Sequence, residues 1–521
     1  MNGTKSSDWQ PKSNKWLIAV VVTLAAFMEV LDTTIVNVSL RHIAGGMSVS
    51  YDDATWTMTS YLVANGVVLT ISGWLGRVLG RKRYFLICVA MFSIASVLCG
   101  LSSNLGQIVV ARAVQGFFGG GLQPTQQSIL LDTFGQAQRA RAFGLTAVAT
   151  VVAPAVGPAL GGWITDTYGW PWVFFINFPV GLLTFFAVGR LIEDPPWARP
   201  HGLREIDAIG ISLIALGLGS LQVTMDRGQD EDWFASDFIR TFAAMAAIGL
   251  LGAVTWLLYA KKPVINIRVF ADRNFAMSSA LMAAMAFILY GSVVLLPELA
   301  QTVLGYDATL SGLLLSPGAA LLIVLIPLAE RLQRLVKTKY VVTLGFAILS
   351  LSLFYSHRIP PDVGFNELVL MRALQAAGLA FLFAPLTTIA FANISRRDNG
   401  DASALFTMFR NVTGSVGISI TTAILAQQTQ VHLAHLAPHM TPLDQGYVTT
   451  LQHYLATVRA YGQHPATSGR TAQGLLYKTF QTQASVLAYS DLFTYGGIIA
   501  ACVIPFTFAL TGKVGGRAHA G

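Results

Sequence analysis

The chain has 521 residues, of which 54% are hydrophobic and only 12% charged, with a formal net charge of +8. Soluble domains carry about 25% charged residues, so the composition excludes an ordinary soluble enzyme and reads as an all-α integral membrane protein. The basic excess falls in loops on one side of the membrane, which makes nucleic-acid binding an unneeded explanation.

At about 20 apolar residues per crossing, the pattern predicts about fourteen transmembrane helices, near 16–39, 53–75, 84–103, 107–131, 142–164, 172–192, 208–225, 238–259, 275–301, 308–329, 339–356, 365–391, 403–427 and 489–511. With the amino terminus in the cytoplasm, the inner loops collect Arg77, Arg81, Lys82, Arg83, Arg139, Arg141, Lys261, Lys262, Arg396 and Arg397 among others. That asymmetry places both termini inside. The first segment is expected to be an uncleaved anchor. Cys88, Cys99 and Cys502 lie in apolar segments and suggest neither a disulfide framework nor a metal site.

The first segment carries Glu29 and Asp32, three residues apart and therefore on one helical face. A charge near the middle of a membrane helix costs roughly 3 kcal/mol, so such groups usually face a cavity or an ion path. By helical rise, Asp32 lies roughly 10 Å below the outer end of its segment and Arg112 roughly 8 Å below the outer end of the fourth. The two are level, and an ion pair is expected. Glu29 sits one turn deeper with no obvious Arg beside it; burial is expected to leave it protonated at neutral pH, as a proton carrier.

Glycines gather in the fourth segment at Gly116, Gly119, Gly120 and Gly121, and in the fifth beside Pro154 and Pro158 at Gly157, Gly161 and Gly162. Small residues allow close helix approach, and Pro bends a helix. A polar inner connection from Glu193 to Asp207, with Pro195, Pro196 and Pro200, ends the sixth segment.

An internal repeat follows. Arg112-Ala-Val-Gln115-Gly116 in the fourth segment returns as Arg372-Ala-Leu-Gln375-Ala376 in the twelfth, and Pro124 and Pro385 come about a dozen residues later in each. Two halves with the same helix order produce this, with substrate held between them. The division expected is 1–192 for an amino-terminal six-helix half, 193–262 for the inner linker and two inserted helices, 263–511 for the carboxy-terminal half with an outer loop at 428–488, and 512–521 for a cytoplasmic tail.

In the second half, Glu298 near the outer end of segment nine and Arg372 near the start of segment twelve promise a copy of the first pair. Arg410, roughly 14 Å deep in segment thirteen, is expected to meet a carboxylate, a backbone carbonyl or a watery cavity. An apolar, aromatic cavity wall with a few polar groups suits amphipathic compounds; the candidates are Phe27, Tyr61, Asn65, Gln123, Gln127, Tyr290 and Phe406. The outer histidines His432, His435 and His439 lack Cys or carboxylate companions and read as part of a solvated loop broken at Pro438 rather than a metal site. No G-x-x-x-x-G-K-[ST] phosphate loop occurs, so ATP hydrolysis by this chain is not expected.

As a set these residues resemble the fourteen-helix drug:proton antiporters of the major facilitator superfamily, and within it the EmrB-like multidrug efflux pumps. The first-helix signature matches at Leu31-Asp32-Thr33-Thr34-Ile35-Val36-Asn37-Val38. The loop after helix two is similar at Gly73-Trp74-Leu75-Gly76-Arg77 through Gly80-Arg81-Lys82, helix four at Arg112 to Gly116, and helix five at Gly157-Pro158 to Gly161-Gly162. Trp172 to Gly181, Asp226-Arg227-Gly228 and Arg273-Asn274-Phe275 extend the likeness over nearly the whole chain. The loop motif usually has Asp where this chain has Arg77, and helix five has Ala153 where Gly is usual.

The resemblance implies two six-helix halves plus two inserted helices, working by alternating access in the inner membrane, driven by the proton gradient without a cofactor. Asp32, Glu29, Arg112, Glu298, Arg372 and Arg410 would carry proton coupling, and lipophilic small molecules would be the cargo. A periplasmic adaptor of the membrane-fusion class and an outer-membrane channel would be partners, with lipid around the helices. Two other readings stay open: a proton-driven exporter of one metabolite or siderophore, and, more remotely, a polytopic membrane enzyme using the outer segment.

Overall fold

The computed structural model describes residues 9–198, 207–306, 308–360, 363–461 and 464–511, and all regular structure there is helical. The expected 512–521 tail and most of the Pro-rich linker lie outside the described residues. Fourteen crossings follow in order: α1 Lys15–Met47, α2 Trp56–Leu79, α3 Arg81–Gly100, α4 Leu105–Gly119 continuing as Leu122–Thr133, α5 Gln136–Tyr168, α6 Asn177–Leu191, α7 Ala208–Arg227, α8 Asp237–Tyr259, α9 Arg273–Glu298, α10 Ala308–Leu335, α11 Thr338–Ser356, α12 Phe365–Ala380 continuing as Phe383–Ala390, α13 Asn399–Leu436 and α14 Pro465–Thr507. Eleven pass as membrane spans on length and apolarity, and α5 passes as a pair bent by 42° beside Pro154. The remaining two, α4 and α13, are those that carry Arg112, Gln123 and Arg410.

Local signals set the helix ends. Asn14 caps α1 by accepting from the Trp16 amide at 2.9 Å, and Asn104 caps α4 by accepting from Gln107 at 3.0 Å. Gly80 reverses the chain between α2 and α3 with φ +84°, a backbone state that strains any side chain. The face where α1 begins and α14 ends is the near face; the opposite one is the far face.

Each half packs around its own contacts. In the first, α1 lies along α5, and α2 along α4. Gly116 brings α4 so close to α2 that a Cβ there would sit 2.2 Å from the Tyr61 carbonyl oxygen, and a Cβ on Gly157 of α5 would sit 2.1 Å from Thr34 Oγ1. These glycines therefore fix α1 and α4, the two helices that bear the charged residues. In the second half α9 packs on α13, α10 on α12, and α11 on α14. The halves meet along two seams, α2 with α13 and α5 with α10.

The inserted pair, α7 and α8, packs on itself at Gly217 and Gly249 and lays α7 on α2. Arg227 at the end of α7 stacks its guanidinium 4.7 Å from the Trp56 ring and donates to Thr55 Oγ1 at 2.5 Å. Most of α8 is exposed, with Ile248, Leu251, Val254 and Leu258 outward, the pattern of a lipid-facing helix.

The 428–488 region, expected as a polar outer segment with some helix in it, is mostly helical among the described residues. Helix α13 continues to Leu436, a further helix spans Gln445–Ala460, and α14 already starts at Pro465. With 38 residues, α13 is about 57 Å long, well beyond the roughly 30 Å of bilayer hydrocarbon. Polarity argues against a bilayer crossing for this region and leaves helix open. His432 and His435 are helical, and His432 Nε2 lies 2.7 Å from Asp491 Oδ2 on α14, which fastens the two long helices together.

Candidate functional site

Asp32 of α1 sits inside the amino-terminal half, wholly buried. Its Oδ2 accepts from Arg112 Nη1 at 2.6 Å, and its Oδ1 accepts from Gln115 Nε2 at 2.9 Å and from Asn177 Nδ2 at 2.7 Å. Arg112 also donates from Nε to the Thr57 carbonyl at 3.1 Å and from Nη1 to Gln115 Oε1 at 2.8 Å, and its guanidinium lies 4.1 Å from the centre of the Tyr61 ring. Four helices, α1, α2, α4 and α6, thus meet at one ion pair. A buried ion pair persists only when most of its remaining donors and lone pairs are satisfied; here both carboxylate oxygens and Arg112 Nε and Nη1 are bonded, while Arg112 Nη2 has no hydrogen bond among the described residues.

The depth argument correctly paired Asp32 with Arg112, but Gln115, Asn177 and Thr57 were missing from the candidates. Gln115 could have been found, since it lies three residues from Arg112 on the same face. Asn177, a lone amide inside an aromatic run, carried a similar signal.

One turn away on α1, Glu29 is held differently. Its Oε1 accepts from Asn65 Nδ2 at 3.0 Å and from the Tyr61 hydroxyl at 3.4 Å, and its Oε2 accepts from Gln123 Nε2. Tyr61 therefore links the two sites, its ring against Arg112 and its hydroxyl toward Glu29. Gln123 in turn accepts on Oε1 from Arg410 Nη2, a side chain of α13 in the other half. Arg410 is buried, donates from Nε to Asn411 Oδ1 at 3.1 Å and lies 5.7 Å from the Phe383 ring. Glu29 does have an Arg near it, reached through an amide across the seam. The partner of Arg410 is a side-chain carbonyl, a kind of acceptor absent from the three expected.

The other candidates divide. Asn65, Tyr61 and Gln123 surround Glu29, and Gln127 is buried on the same helix as Gln123. Phe27 and Tyr290 are half-buried, and Tyr290 lies against Gly414 on α13. Phe406 belongs elsewhere: it is fully buried and packs at 5.5 Å from Phe391 and 6.4 Å from Phe275 in an aromatic core of the second half. It lies one turn before Arg410 on α13, where it meets Phe275 of α9 and Phe391 just after α12.

The expected second pair does not form. Arg372 is buried and donates from Nη1 to Gln375 Oε1 at 3.3 Å, with no carboxylate on it among the described residues. Glu298 is the last residue of α9, ahead of a π turn at Leu299–Val303, and its Oε2 is buried without a hydrogen bond among the described residues.

The loop motif after α2 joins the halves at the near face. Arg77 donates from Nη1 to Asp401 on α13 and from Nη2 to the Val264 carbonyl at 3.0 Å, while Asp401 Oδ2 accepts from the Asn266 amide at 3.1 Å. Gly73 touches Gly400, where a Cβ would come within 2.7 Å of backbone. Within the first half, Arg81 pairs with Asp132, and the Lys82 amide donates to Asp194 Oδ1 at the start of the linker at 2.8 Å. Further bonds span the seam from Arg139 Nη1 to the Phe391 carbonyl at 3.2 Å, from Arg141 Nε to Glu330 at 3.0 Å and from Gln136 Nε2 to the Ala392 carbonyl at 3.2 Å. The near face is closed. Among the described residues no cluster of three or more His, Cys, Asp or Glu could hold a metal ion.

Comparison with known proteins gives a consistent picture. The family model described as Major Facilitator Superfamily matches residues 22–418. The chain is 36% identical to the multidrug export protein EmrB of Haemophilus influenzae, over 82% of this chain and 84% of that one. It is 33% identical to the fatty acid resistance protein FarB of Neisseria gonorrhoeae, over 96% of this chain and 97% of that one. Among solved structures, the proton:xylose symporter XylE aligns with a TM-score of 0.56 at 12% identity, covering 94% of this chain and 96% of that one. A bacterial homologue of the human lysosomal transporter Spinster aligns at 0.54 and 16%, covering 95% and 97%. At such identities the structures speak for the fold alone.

Proposed function

We propose, from the premise that the chain belongs to the major facilitator superfamily, that it is a proton-coupled exporter of hydrophobic and amphipathic compounds. It is a membrane transporter of the efflux-related kind and not an enzyme. The observation that carries the proposal is the pair of acids on one face of α1, Asp32 and Glu29, both buried among polar side chains of α2 and α4. A proton on Asp32 would cancel its attraction to Arg112 and free that guanidinium; a proton on Glu29 would change what it offers to Gln123. Either event alters contacts that position helices, which is what a transported proton must do to bias an equilibrium between two openings.

The near face is the cytoplasmic one in this reading, because the Arg- and Lys-rich loops lie there, and the membrane is the inner membrane. An adaptor spanning the periplasm and an outer-membrane channel fit the resemblance to EmrB and the long helices that rise from the far face. One proton supplies about 2.3 kcal/mol per 100 mV and about 1.36 kcal/mol per pH unit. Exchange for a monovalent cation would use the pH difference alone, whereas a neutral or acidic compound would use both. Because one relative is named for fatty acid resistance, long-chain acids belong among the compounds tried.

Purified protein in proteoliposomes, given a pH step in the presence of a panel of unrelated lipophilic compounds and long-chain acids, tests the proposal. Wild type should dissipate the pH difference with several compounds, and Asp32→Asn should not. Response to a single compound would select the dedicated exporter; no proton movement with any compound would end the proton-coupled reading.

A further inference from the structure

The bridge from Glu29 through Gln123 to Arg410 is a mid-depth connection between the halves built from a titratable group, an amide and a charge. Its chemistry fixes the amide's orientation. Arg has donors and no acceptor, so Gln123 must turn its carbonyl to Arg410; that leaves the NH2 group for Glu29, which must accept. An ionised carboxylate accepts without reservation. A protonated one carries a donor of its own.

We propose that Gln123 is a proton-dependent coupler, holding α4 to α13 while Glu29 is ionised and releasing α13 when Glu29 takes up a proton; this rests on the reading of Glu29 as a proton acceptor. One proton moves from water to Glu29 Oε2 and no other covalent bond changes. The proton removes the negative charge that Arg410 faces through the amide. Gln123 can still donate to the remaining carbonyl oxygen of a protonated Glu29, but to a neutral acceptor in place of a charged one, and a hydrogen bond to a neutral group is roughly half as strong. The chain from Glu29 through Gln123 to Arg410 is weakened along its length. Arg410 then keeps its charge with no carboxylate behind the amide, in surroundings that include Asn411 and the Phe383 ring, at a high cost for a buried charge.

The position of the bridge gives this a direction. Gln123 stands at the start of the α4 segment Leu122–Thr133, which runs against α13 down to the near face. Below it lie Asn399 Nδ2 donating to Asp132 Oδ1 at 3.4 Å and the Arg77 and Asp401 pair. Release at Gln123 therefore weakens the top of the near-face closure, on the side where an inward-moving proton must leave. The charged and titratable groups facing this assembly are Asp32 on α1, Tyr61 on α2, Arg112 on α4, Tyr290 on α9 and Arg410 itself. Arg112 is engaged with Asp32, which leaves Glu29 and Arg410 as the pair that changes.

The test measures the near-face distance between spin labels at Arg83, exposed in the first turn of α3, and Lys337, exposed just before α11 in the opposite half, in lipid nanodiscs with exposed Cys502 replaced by Ser. In wild type the long-distance population should grow as pH falls, by up to about tenfold per pH unit for one linked proton. Glu29→Gln should show the long distance at every pH. Gln123→Met should lose the pH response, and Gln123→Glu, which offers Arg410 its own carboxylate, should keep the short distance into acid; the opposite signs separate uncoupling from misfolding. A Gln123→Met protein that titrates like wild type, or a wild type with no pH response, overturns the proposal. The pH-step transport assay on the same proteins keeps the two ideas apart. Pumping with an unaltered Gln123→Met titration refutes the coupler and leaves proton-driven export standing. A pH-sensitive distance abolished by Gln123→Met, without pumping, supports the coupler and refutes the export reading.

Discussion

Arg112 and Arg372 open the same phrase, Arg-Ala-x-Gln, on the equivalent helices α4 and α12, and both are buried. Each donates to the Gln three residues on, at 2.8 Å and 3.3 Å. There the likeness ends. Arg112 meets Asp32 in the middle of α1, whereas the acid of α9 is Glu298, carried to the end of its helix beyond Pro297 and left without a bond to Arg372. Repetition preserved the helix scaffold and its local Arg-to-Gln bond, while the counter-charge stands in one half only. What decides chemistry here is the depth of the acid on the facing helix, a property of one residue rather than of the repeat.

Four measurements break or sharpen that contrast. The largest effect is expected from Arg112→Ala, which leaves Asp32 buried without its cation. Removing one member of such a pair costs about 3–5 kcal/mol, so thermal unfolding should move down markedly and exchange in proteoliposomes should fall by roughly 100-fold or more. Glu29→Gln should fold normally, since it keeps most acceptors, and should still bind compounds while its binding loses dependence on pH; titration calorimetry at several pH values reads this. Arg77→Asp sets two acids against each other at the near face and should slow transport by roughly tenfold, with the reversed pair Arg77→Asp and Asp401→Arg recovering much of it; the side chain of Arg77 is partly exposed, which limits the effect. The smallest change is expected from Arg372→Leu. Replacing a buried charge that has no counter-ion by an apolar side chain is close to neutral, within about 1 kcal/mol, and transport should stay within roughly threefold. A collapse of transport in Arg372→Leu would restore the symmetric view of the two halves.

Much of this was legible in the residues. Apolar lengths gave the crossings, the rise per residue put Asp32 level with Arg112, and the Arg-Ala-x-Gln repeat gave the two halves. Contacts that depend on how the halves meet were not. Arg410 reaches Gln123 across 287 positions and Arg77 reaches Asp401 across 324, and no helical period links residues so far apart. Arg77 stood out only as a departure from the motif; the structure gives it an acid partner on α13, with the charges arranged the other way round from the usual Asp. The polar run after α13 could not be given helix bounds from its residues, because polarity reports exclusion from lipid, and a helix surrounded by water is also polar.

The inserted helices bear on how a molecule dissolved in the bilayer could reach the interior. Helix α7 is fastened to α2 and also donates from Gln222 Nε2 to Ser415 Oγ of α13 at 2.8 Å, so it lies over one of the two seams like a batten over a joint. At the other, α5 and α10 turn Trp163, Ile323, Val324 and Leu328 outward with nothing across them among the described residues. One seam is thereby covered by the inserted pair and the other left bare among the described residues, and an otherwise twofold arrangement of helices acquires a front and a back.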